Sequence, residues 1–339
     1  MLRLQILLFL ILSSSNMLAQ TGQAQQAYRI MFYNVENFFD TEDDYETEDD
    51  EFLPVGFYHW TQTKFEKKRN DIASVIESVG NGKLPSIVGL CEVENRFVLE
   101  QLTQHTSLKE HGYAILHNDS PDSRGIDVAL LYLPQHFRLM DSAFFRINIE
   151  KRTREILYAK GMLGSIDTLH VFVNHWSSKL GGEKKTEPYR MEAAKTLHAK
   201  IDSILQLNPS AGIIAMGDFN DLPDSRPIRE GLKAKAMVDS LRHNSIYNLS
   251  VLSAAKGEGT SKYKGKWQLV DMLFCSISML NSTSLLYCNP ADFTIYNADF
   301  LLEEDKTYGG VKPKRTLAGP RYVGGVSDHL PIFIDIKTP

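Results

Sequence analysis

Residues 213–220 read Ile213-Ile214-Ala215-Met216-Gly217-Asp218-Phe219-Asn220, an apolar run of strand length that stops on a carboxylate. The same arrangement recurs along the chain. Ile87-Val88-Gly89-Leu90-Cys91 runs into Glu92, and Leu169 to Asn174 leads into His175. Leu269-Val270 meets Asp271 inside an apolar run, and Ser327-Asp328-His329 opens the last one. Burying an ionised group is costly unless it is paired or metal-bound. Several such groups at strand ends therefore imply one polar site at the rim of a sheet, where open α/β sheets bind their ligands.

Outward from these runs, strands are predicted over Tyr28–Tyr33, Ile87–Cys91, Tyr113–Leu116, Val128–Leu133, Leu169–Val173, Ile213–Met216, Leu269–Cys275 and Pro331–Ile336. They are short, β-branched or aromatic, and bounded by turn formers. A helix is predicted over Lys64–Val79, with Phe65, Ile72, Val75, Ile76 and Val79 on one face. A second covers Pro188–Leu207, with Pro188 in its first turn. No internal repeat and no long low-complexity linker interrupts this alternation, which points to α/β layers on a common core.

The chain has 339 residues, 43% hydrophobic and 23% charged. A chain of ~300 residues buries roughly three quarters of its unfolded surface, so one large domain is affordable. The net charge of −5 supplies no global basic field for nucleic acid. A bound divalent metal would supply positive charge locally. Residues 1–19 read as a secretory signal peptide: Arg3, the apolar run Ile6 to Leu12, then Ser13, Ser14, Ser15, Asn16 and a small residue at Ala19. The run is shorter than the ~20 apolar residues of a membrane span. The expectation is a secreted or periplasmic domain over 20–339, monomeric and without a stable membrane anchor. The 3 cysteines, Cys91, Cys275 and Cys288, are odd in number and lack metal spacing, which argues against a disulfide framework and a zinc site. Cys91 and Cys275 are expected as buried thiols, and a Cys275–Cys288 bridge stays open.

Residue type indicates the chemistry. Glu92, with an Asn such as Asn34 after the first strand, offers hard oxygen ligands suited to Mg2+ and a substrate phosphate. His175 and His329 can contact or protonate phosphoryl oxygens. Asp218 can orient or deprotonate a water, and Asn220 can hold it or stabilise developing charge. Neither a Gly-x-Ser-x-Gly elbow nor a phosphate-binding Gly-Lys-Ser/Thr loop occurs, so acyl transfer and nucleoside triphosphate hydrolysis are not indicated. Asp271 is assigned to His329 in preference to Asp328, because neighbours in a strand point to opposite faces.

Two other stretches stand out. The acidic run Glu42–Glu51 reads as a solvated loop, since no Gly sits where a hand-like calcium loop requires one. Tyr308-Gly309-Gly310, Lys312-Pro313-Lys314-Arg315 and Gly319-Pro320-Arg321-Tyr322 form a basic, Gly-rich, aromatic loop. That composition suits phosphate and base or sugar contacts, and a surface loop closing the fold is the alternative.

In order, Tyr33-Asn34-Val35-Glu36-Asn37, Cys91-Glu92-Val93-Glu94-Asn95, Gly125-Ile126-Asp127-Val128-Ala129, Asn174-His175-Trp176, Gly217-Asp218-Phe219-Asn220 and Ser327-Asp328-His329-Leu330-Pro331 resemble the successive motifs of the endonuclease/exonuclease/phosphatase superfamily. The resemblance implies a four-layer α/β sandwich of two packed mixed β-sheets flanked by helices. It implies Mg2+, with Mn2+ as a substitute, held by Asn34 and Glu92. Asp218 then activates the nucleophile, Asn220 positions it, His175 contacts the phosphate and His329 pairs with Asp271. Asp328 matches a position that in some members supports a second metal or the neighbouring His. Arg154 resembles a phosphate-contacting Arg of the nucleases, while Arg124, Lys179 and Arg190 lie beside motifs as phosphate contacts or solvent-exposed charge. Asp127 departs from the nuclease members. The implied activity is hydrolysis of a phosphodiester or phosphomonoester by in-line attack of an activated water. Nucleic acid is the leading substrate, as for an endonuclease. A phospholipid head group or sugar phosphate comes second, and a non-catalytic binding protein on the same fold third.

Overall fold

Strands buried on both faces need continuous apolar sequence, because alternate side chains enter different layers. Ile214 and Met216 enter the core between two sheets, while Ile213 and Ala215 pack against a helix. The computed structural model describes residues 26–236 and 245–338. The signal-peptide reading of residues 1–19 lies outside them. Among the described residues no helix is long and apolar enough to cross a membrane.

The first six-stranded sheet runs in the order Thr294–Ile295, Ile332–Lys337, Ala27–Phe38, Ile87–Val93, Asp127–Tyr132, Ala114–His117. The second runs Phe137–Phe145, Ile156–Leu163, Asp167–His175, Gly212–Asp218, Asp271–Ser276, Ile246–Asn248. Each holds one parallel pair at its centre, Ala27–Phe38 with Ile87–Val93 and Asp167–His175 with Gly212–Asp218. Phe32, Leu130, Val173, Met216, Leu273 and Ile334 fill the space between the sheets. Helices Gln62–Gly80 and Arg96–Gln104 cover the first sheet through Phe65, Ile76 and Leu99. Helix Glu183–Leu207 covers the second through Ala194, Leu197 and Ile201. The result is the four-layer sandwich of two mixed sheets between helices.

This topology carries the polar residues to one rim. The parallel strands end side by side there, with His175 opposite Asp218. The antiparallel strand Asp271–Ser276 starts at the same rim, Asp271 opposite Asp218. The approach to Ile332–Lys337 crosses it again, since Ile332 pairs with Phe32.

The fold departs from the sequence reading at identifiable places. The strands Phe137–Phe145 and Ile156–Leu163 were not predicted; the first is the sheet edge and is largely exposed, so its sequence lacks an apolar run. Helix Arg96–Gln104 was also missed, although Asn95 caps it by accepting the Val98 N–H at 3.0 Å. The long helix begins at Glu183, so Pro188 lies inside it and not in its first turn. One backbone hydrogen bond is forfeited there. That first turn is pinned instead by Arg190, which bonds Thr186 and Asp221. The 302–322 loop is not irregular throughout: Leu302–Glu304 pairs with Val311–Pro313, and Leu317–Ala318 with Arg321–Tyr322. All three cysteines are buried and free.

Gly217 sits where the two central parallel strands approach closely, and a Cβ there would lie 2.7 Å from Asn174 Cβ. Overpacking of this kind costs about 1–3 kcal/mol. Gly217→Ala should therefore lower the unfolding free energy measured by chemical denaturation by that amount, and an unchanged free energy would refute the close approach.

Candidate active site

The rim residues reach one another across both sheets. Asn34, from the first sheet, donates its amide to Glu92 Oε1 at 3.2 Å and to Asp218 Oδ2 of the second sheet at 3.1 Å. Its carbonyl oxygen accepts the Glu36 N–H at 2.9 Å. Asn37 N–H donates to Glu92 Oε2 at 3.0 Å, so both oxygens of Glu92 are fixed. Glu36, Asn37, Glu92 and Asn220 all adopt left-handed backbone, with φ of 49°, 54°, 60° and 49°. Such strain costs on the order of 1–3 kcal/mol per residue and is retained where the surroundings over-determine it. Here it breaks the strand just where the polar side chains turn into the cleft.

His329 Nδ1 lies 2.7 Å from Asp271 Oδ2, and its Nε2 lies 4.0 Å from Asp218 Oδ2. The pairing is with Asp271, as the sequence reading had it, but the strand argument behind that choice does not apply. The final strand starts at Ile332, so positions 328 and 329 precede it. Ser327 Oγ orients this approach by donating to Asn34 O at 2.7 Å and accepting the His329 N–H at 3.1 Å. Asp218 Oδ1 accepts the Asn220 N–H at 2.8 Å, and the Asn220 amide donates to Trp176 O at 3.0 Å. His175 Nε2 stands 3.7 Å from Glu92 Oε1 and 3.8 Å from Asp218 Oδ2, while its buried Nδ1 has no hydrogen-bond partner.

Burial sets the charge states of this cluster. It pushes the Asp218 carboxyl up to about 7, reinforced by Asp271 and opposed by His329 and the Asn220 N–H. Burial opposes charge on His329 too, but Asp271, by its charge and hydrogen bond, and then Asp218 and Asp328 hold the imidazole well above its usual range. His175 goes the other way: burial, then Arg154 and Arg124, push it well below. The two imidazoles are thus held in opposite states, one cationic and one neutral, by their different neighbours.

Several candidate residues are placed elsewhere. Arg190 is fully buried on Asp221 at 2.8 Å, so it faces no substrate. Arg154 is 2% exposed and spans Asp122 at 2.8 Å and Trp176 O at 2.7 Å; it props the Trp176 turn from behind. Of the three candidate arginines only Arg124 is open to solvent, beside Asp122 at 3.5 Å. Lys179 joins Glu183 and Asp221. Asp328 pairs with Arg315 at 3.1 Å and acts by its charge on His329. Asn34 turns its amide N–H toward the carboxylates and its oxygen toward the Glu36 N–H. Asp127 binds His117 Nε2 at 3.1 Å and the Ser120 N–H at 3.0 Å.

Sequence reasoning missed an ionic group beside the cleft. Arg315 bonds Glu36 at 3.2 Å as well as Asp328. The buried Lys68 amine donates to Thr316 Oγ1 at 2.6 Å and Val326 O at 2.9 Å. Burial pushes Lys68 down to about 8 and Glu36 up to about 7. Glu36 stood inside a quoted motif, but Lys68 sits on a helix with nothing local to mark it.

The ligand atoms of Asp218, Asp271 and His329 lie within 4.8 Å of one another, and Asp271 Oδ1 is buried without a hydrogen-bond partner. The carboxylate oxygens of Glu92, Asp218 and Asp271 are hard donors that fit a divalent cation, and the cationic His329 is not one of the ligands.

The sequence pattern of the Endonuclease/Exonuclease/phosphatase family matches residues 29–338, and the chain belongs to that family. No curated protein matches the sequence significantly. Similar folds include D. rerio TDP2 complexed with single strand DNA product, with TM-score 0.57, 12% identity, and coverage of 92% of this chain and 99% of that one. A family protein from Bacteroides thetaiotaomicron gives TM-score 0.55, 13% identity, and coverage of 93% and 99%. The human Nocturnin catalytic domain with bound sulfate gives 0.54, 16%, and coverage of 93% and 97%.

The Asp271–His329 contact has a direct readout. In the metal-free protein His329 should titrate well above the usual imidazole range, and Asp271→Asn should bring it down toward that range. Nitrogen-15 NMR of the ring across pH checks this, and a titration indifferent to Asp271→Asn would contradict the assignment.

Proposed function

We propose that this family member is an exported, Mg2+-dependent phosphodiesterase that cuts nucleic acid by in-line attack of water. The observation that carries the reading is the Asp218–Asp271–His329 cluster, a carboxylate poised near neutrality beside a hydrogen-bonded imidazolium. Mg2+, or Mn2+ in its place, would be held by Glu92 and would polarise the phosphoryl oxygen and stabilise the leaving oxygen.

The residues of the chain divide the remaining work. Asp218, with a carboxyl pushed up to about 7, takes the proton of the attacking water. Asn220, tied to Asp218 through its N–H and to Trp176 O through its amide, fixes the direction of that carboxylate. His329 presents Nε2 to the phosphoryl oxygens and donates as charge builds on them, with Asp271 supporting its positive charge. His175, kept neutral, binds the phosphate without adding a proton. Asn34 holds Glu92 and Asp218 in register across the two sheets.

Nucleic acid is favoured by the TDP2 likeness, solved with a single-stranded DNA product, and by exposed Arg124 and Arg321. A phospholipid head group or sugar phosphate is the second reading, favoured by the net charge of −5 and the acidic run Glu42–Glu51. The signal-peptide pattern of residues 1–19 supports export.

The test is the purified mature chain with Mg2+ on plasmid, RNA, sphingomyelin, inositol phosphate and bis-p-nitrophenyl phosphate. Nucleic acid should be cut fastest, and turnover of sphingomyelin or inositol phosphate alone would favour the second reading. EDTA should abolish turnover and Mg2+ or Mn2+ restore it; full rate in chelator would sink the mechanism. Glu92→Gln should raise the metal concentration that gives half-maximal rate. Asp218→Asn should cost at least ~10²-fold in kcat with little change in Tm, as general-base roles are worth roughly 10²–10⁴. A variant that merely unfolds would make the residue structural.

A further inference from the structure

The chain carries a net charge of −5, yet residues 260–268 hold three lysines and residues 306–322 hold five Lys or Arg, with no Asp or Glu in either segment. The fold brings both segments to the residues around His329. Ser261 pairs with His329 in an isolated antiparallel bridge, and Arg315 bonds Asp328 at 3.1 Å. In the first segment Ser261–Tyr263 pairs with Lys266–Gln268 as a hairpin. Lys262 straps that hairpin to the second segment, its Nζ reaching Asp305 at 2.9 Å, Gly309 O at 2.8 Å and Val311 O at 3.2 Å. At the hairpin turn Lys264 and Gly265 have φ of 47° and 80°, as a tight two-residue turn requires. A Cβ on Gly265 would lie 2.8 Å from Tyr308 Cβ, so Tyr308 rests against the turn. Tyr263 and Tyr308 are nonetheless 60% and 58% exposed. Lys264, Lys266, Lys306 and Arg321 are exposed too, and enter no ion pair among the described residues. Of the adjoining acids, Lys262 takes Asp305 and Lys312 takes Glu303 at 3.3 Å, which leaves Glu304.

We infer that the hairpin 261–268 and the loop 305–311 strapped to it form a binding surface for single-stranded nucleic acid that leads into the cleft at His329. The inference rests on the proposed action on nucleic acid and adds the form of the substrate, an unpaired strand. Open aromatic faces beside uncommitted cations suit a single strand, because any unpaired base can stack on a ring while the backbone phosphates meet the lysines. A duplex keeps its base faces inside the stack and gains nothing from Tyr263 and Tyr308. The position is also right for a substrate contact. Tyr263 stands two residues along the strand from Ser261, about 7 Å, so a base on its ring belongs to a nucleotide close to the phosphate at His329. An anionic membrane would attract the same lysines, but it calls for an apolar face. Of the exposed large apolar residues in the two segments, only Val311 is aliphatic.

The test is fluorescence anisotropy of a labelled oligothymidylate, alone and as its duplex with oligoadenylate, titrated with the full mature chain in EDTA. Chelation prevents turnover, so absent binding strikes this surface alone, while intact binding without hydrolysis in Mg2+ strikes the catalytic reading alone. The single strand should bind more tightly than the duplex. Tyr263→Ala and Tyr308→Ala should each weaken it by about 5-fold or more, and Tyr263→Phe and Tyr308→Phe, which keep the ring, should hold the wild-type Kd. Lys264→Gln with Lys266→Gln should lower the slope of log Kd against log salt by about 1.4, two phosphate contacts on a single strand. All these side chains are exposed, so Tm should stay at the wild-type value. Lys109→Gln and Lys195→Gln, outside the two segments, should bind as the wild type does. Equal affinity for the duplex, an unweakened single-strand Kd in both Tyr→Ala variants, or binding to phosphatidylserine vesicles in place of the oligonucleotide would overturn the inference.

Discussion

The two sheets are joined at their polar rim by hydrogen bonds between charged groups that neither sheet can satisfy alone. Asp271 opens a strand of the second sheet and meets His329, which leads into the last strand of the first, at 2.7 Å. Asn34 makes the same crossing to Asp218 at 3.1 Å. Charged hydrogen bonds of this kind are stronger than neutral ones, and losing one partner leaves a buried charge exposed to its full desolvation cost. The apolar core between the sheets supplies adhesion but little direction. The rim contacts fix how the sheets sit on each other, and so the geometry of the cleft follows from the same bonds that hold its residues.

That constraint also explains the mixture of charge states. A low-dielectric rim raises every carboxyl and lowers every imidazole unless a specific neighbour intervenes. Asp271 intervenes for His329, and Arg154 and Arg124 push His175 further in the direction burial already takes it. Asp218 lies between two carboxylates and one cation and is left near neutrality. A similar balance holds Glu36, on the strand Ala27–Phe38, and Lys68, on the helix Gln62–Gly80, where Arg315 and Thr316 of the neighbouring loop close the ends of the network.

Much of this was legible because burial forces a signature on sequence. A strand covered on both faces must be apolar without a break, so Glu92, His175, Asp218 and Asp271 announce themselves as interruptions. The edge strand Phe137–Phe145 carries no such obligation and left no signal. Arginines were the least readable groups. Arg154 and Arg190 look like phosphate contacts beside their motifs, but Asp122 and Asp221, distant in sequence, consume them. Which atom of Asn34 faces the carboxylates was equally invisible, since it depends on the Glu36 N–H and on a residue from the other sheet. Pro188 misled for a related reason: its local preference for a first turn was overridden by Arg190 anchoring the turn before it.

The central claim is that Asp271 and His329 work as one unit on the phosphate. A double-mutant cycle on bis-p-nitrophenyl phosphate hydrolysis, comparing Asp271→Asn, His329→Ala and the double variant, measures it most directly. Residues that act together are strongly non-additive, so the double variant should be scarcely slower than His329→Ala alone. Two losses that simply multiply would contradict the account.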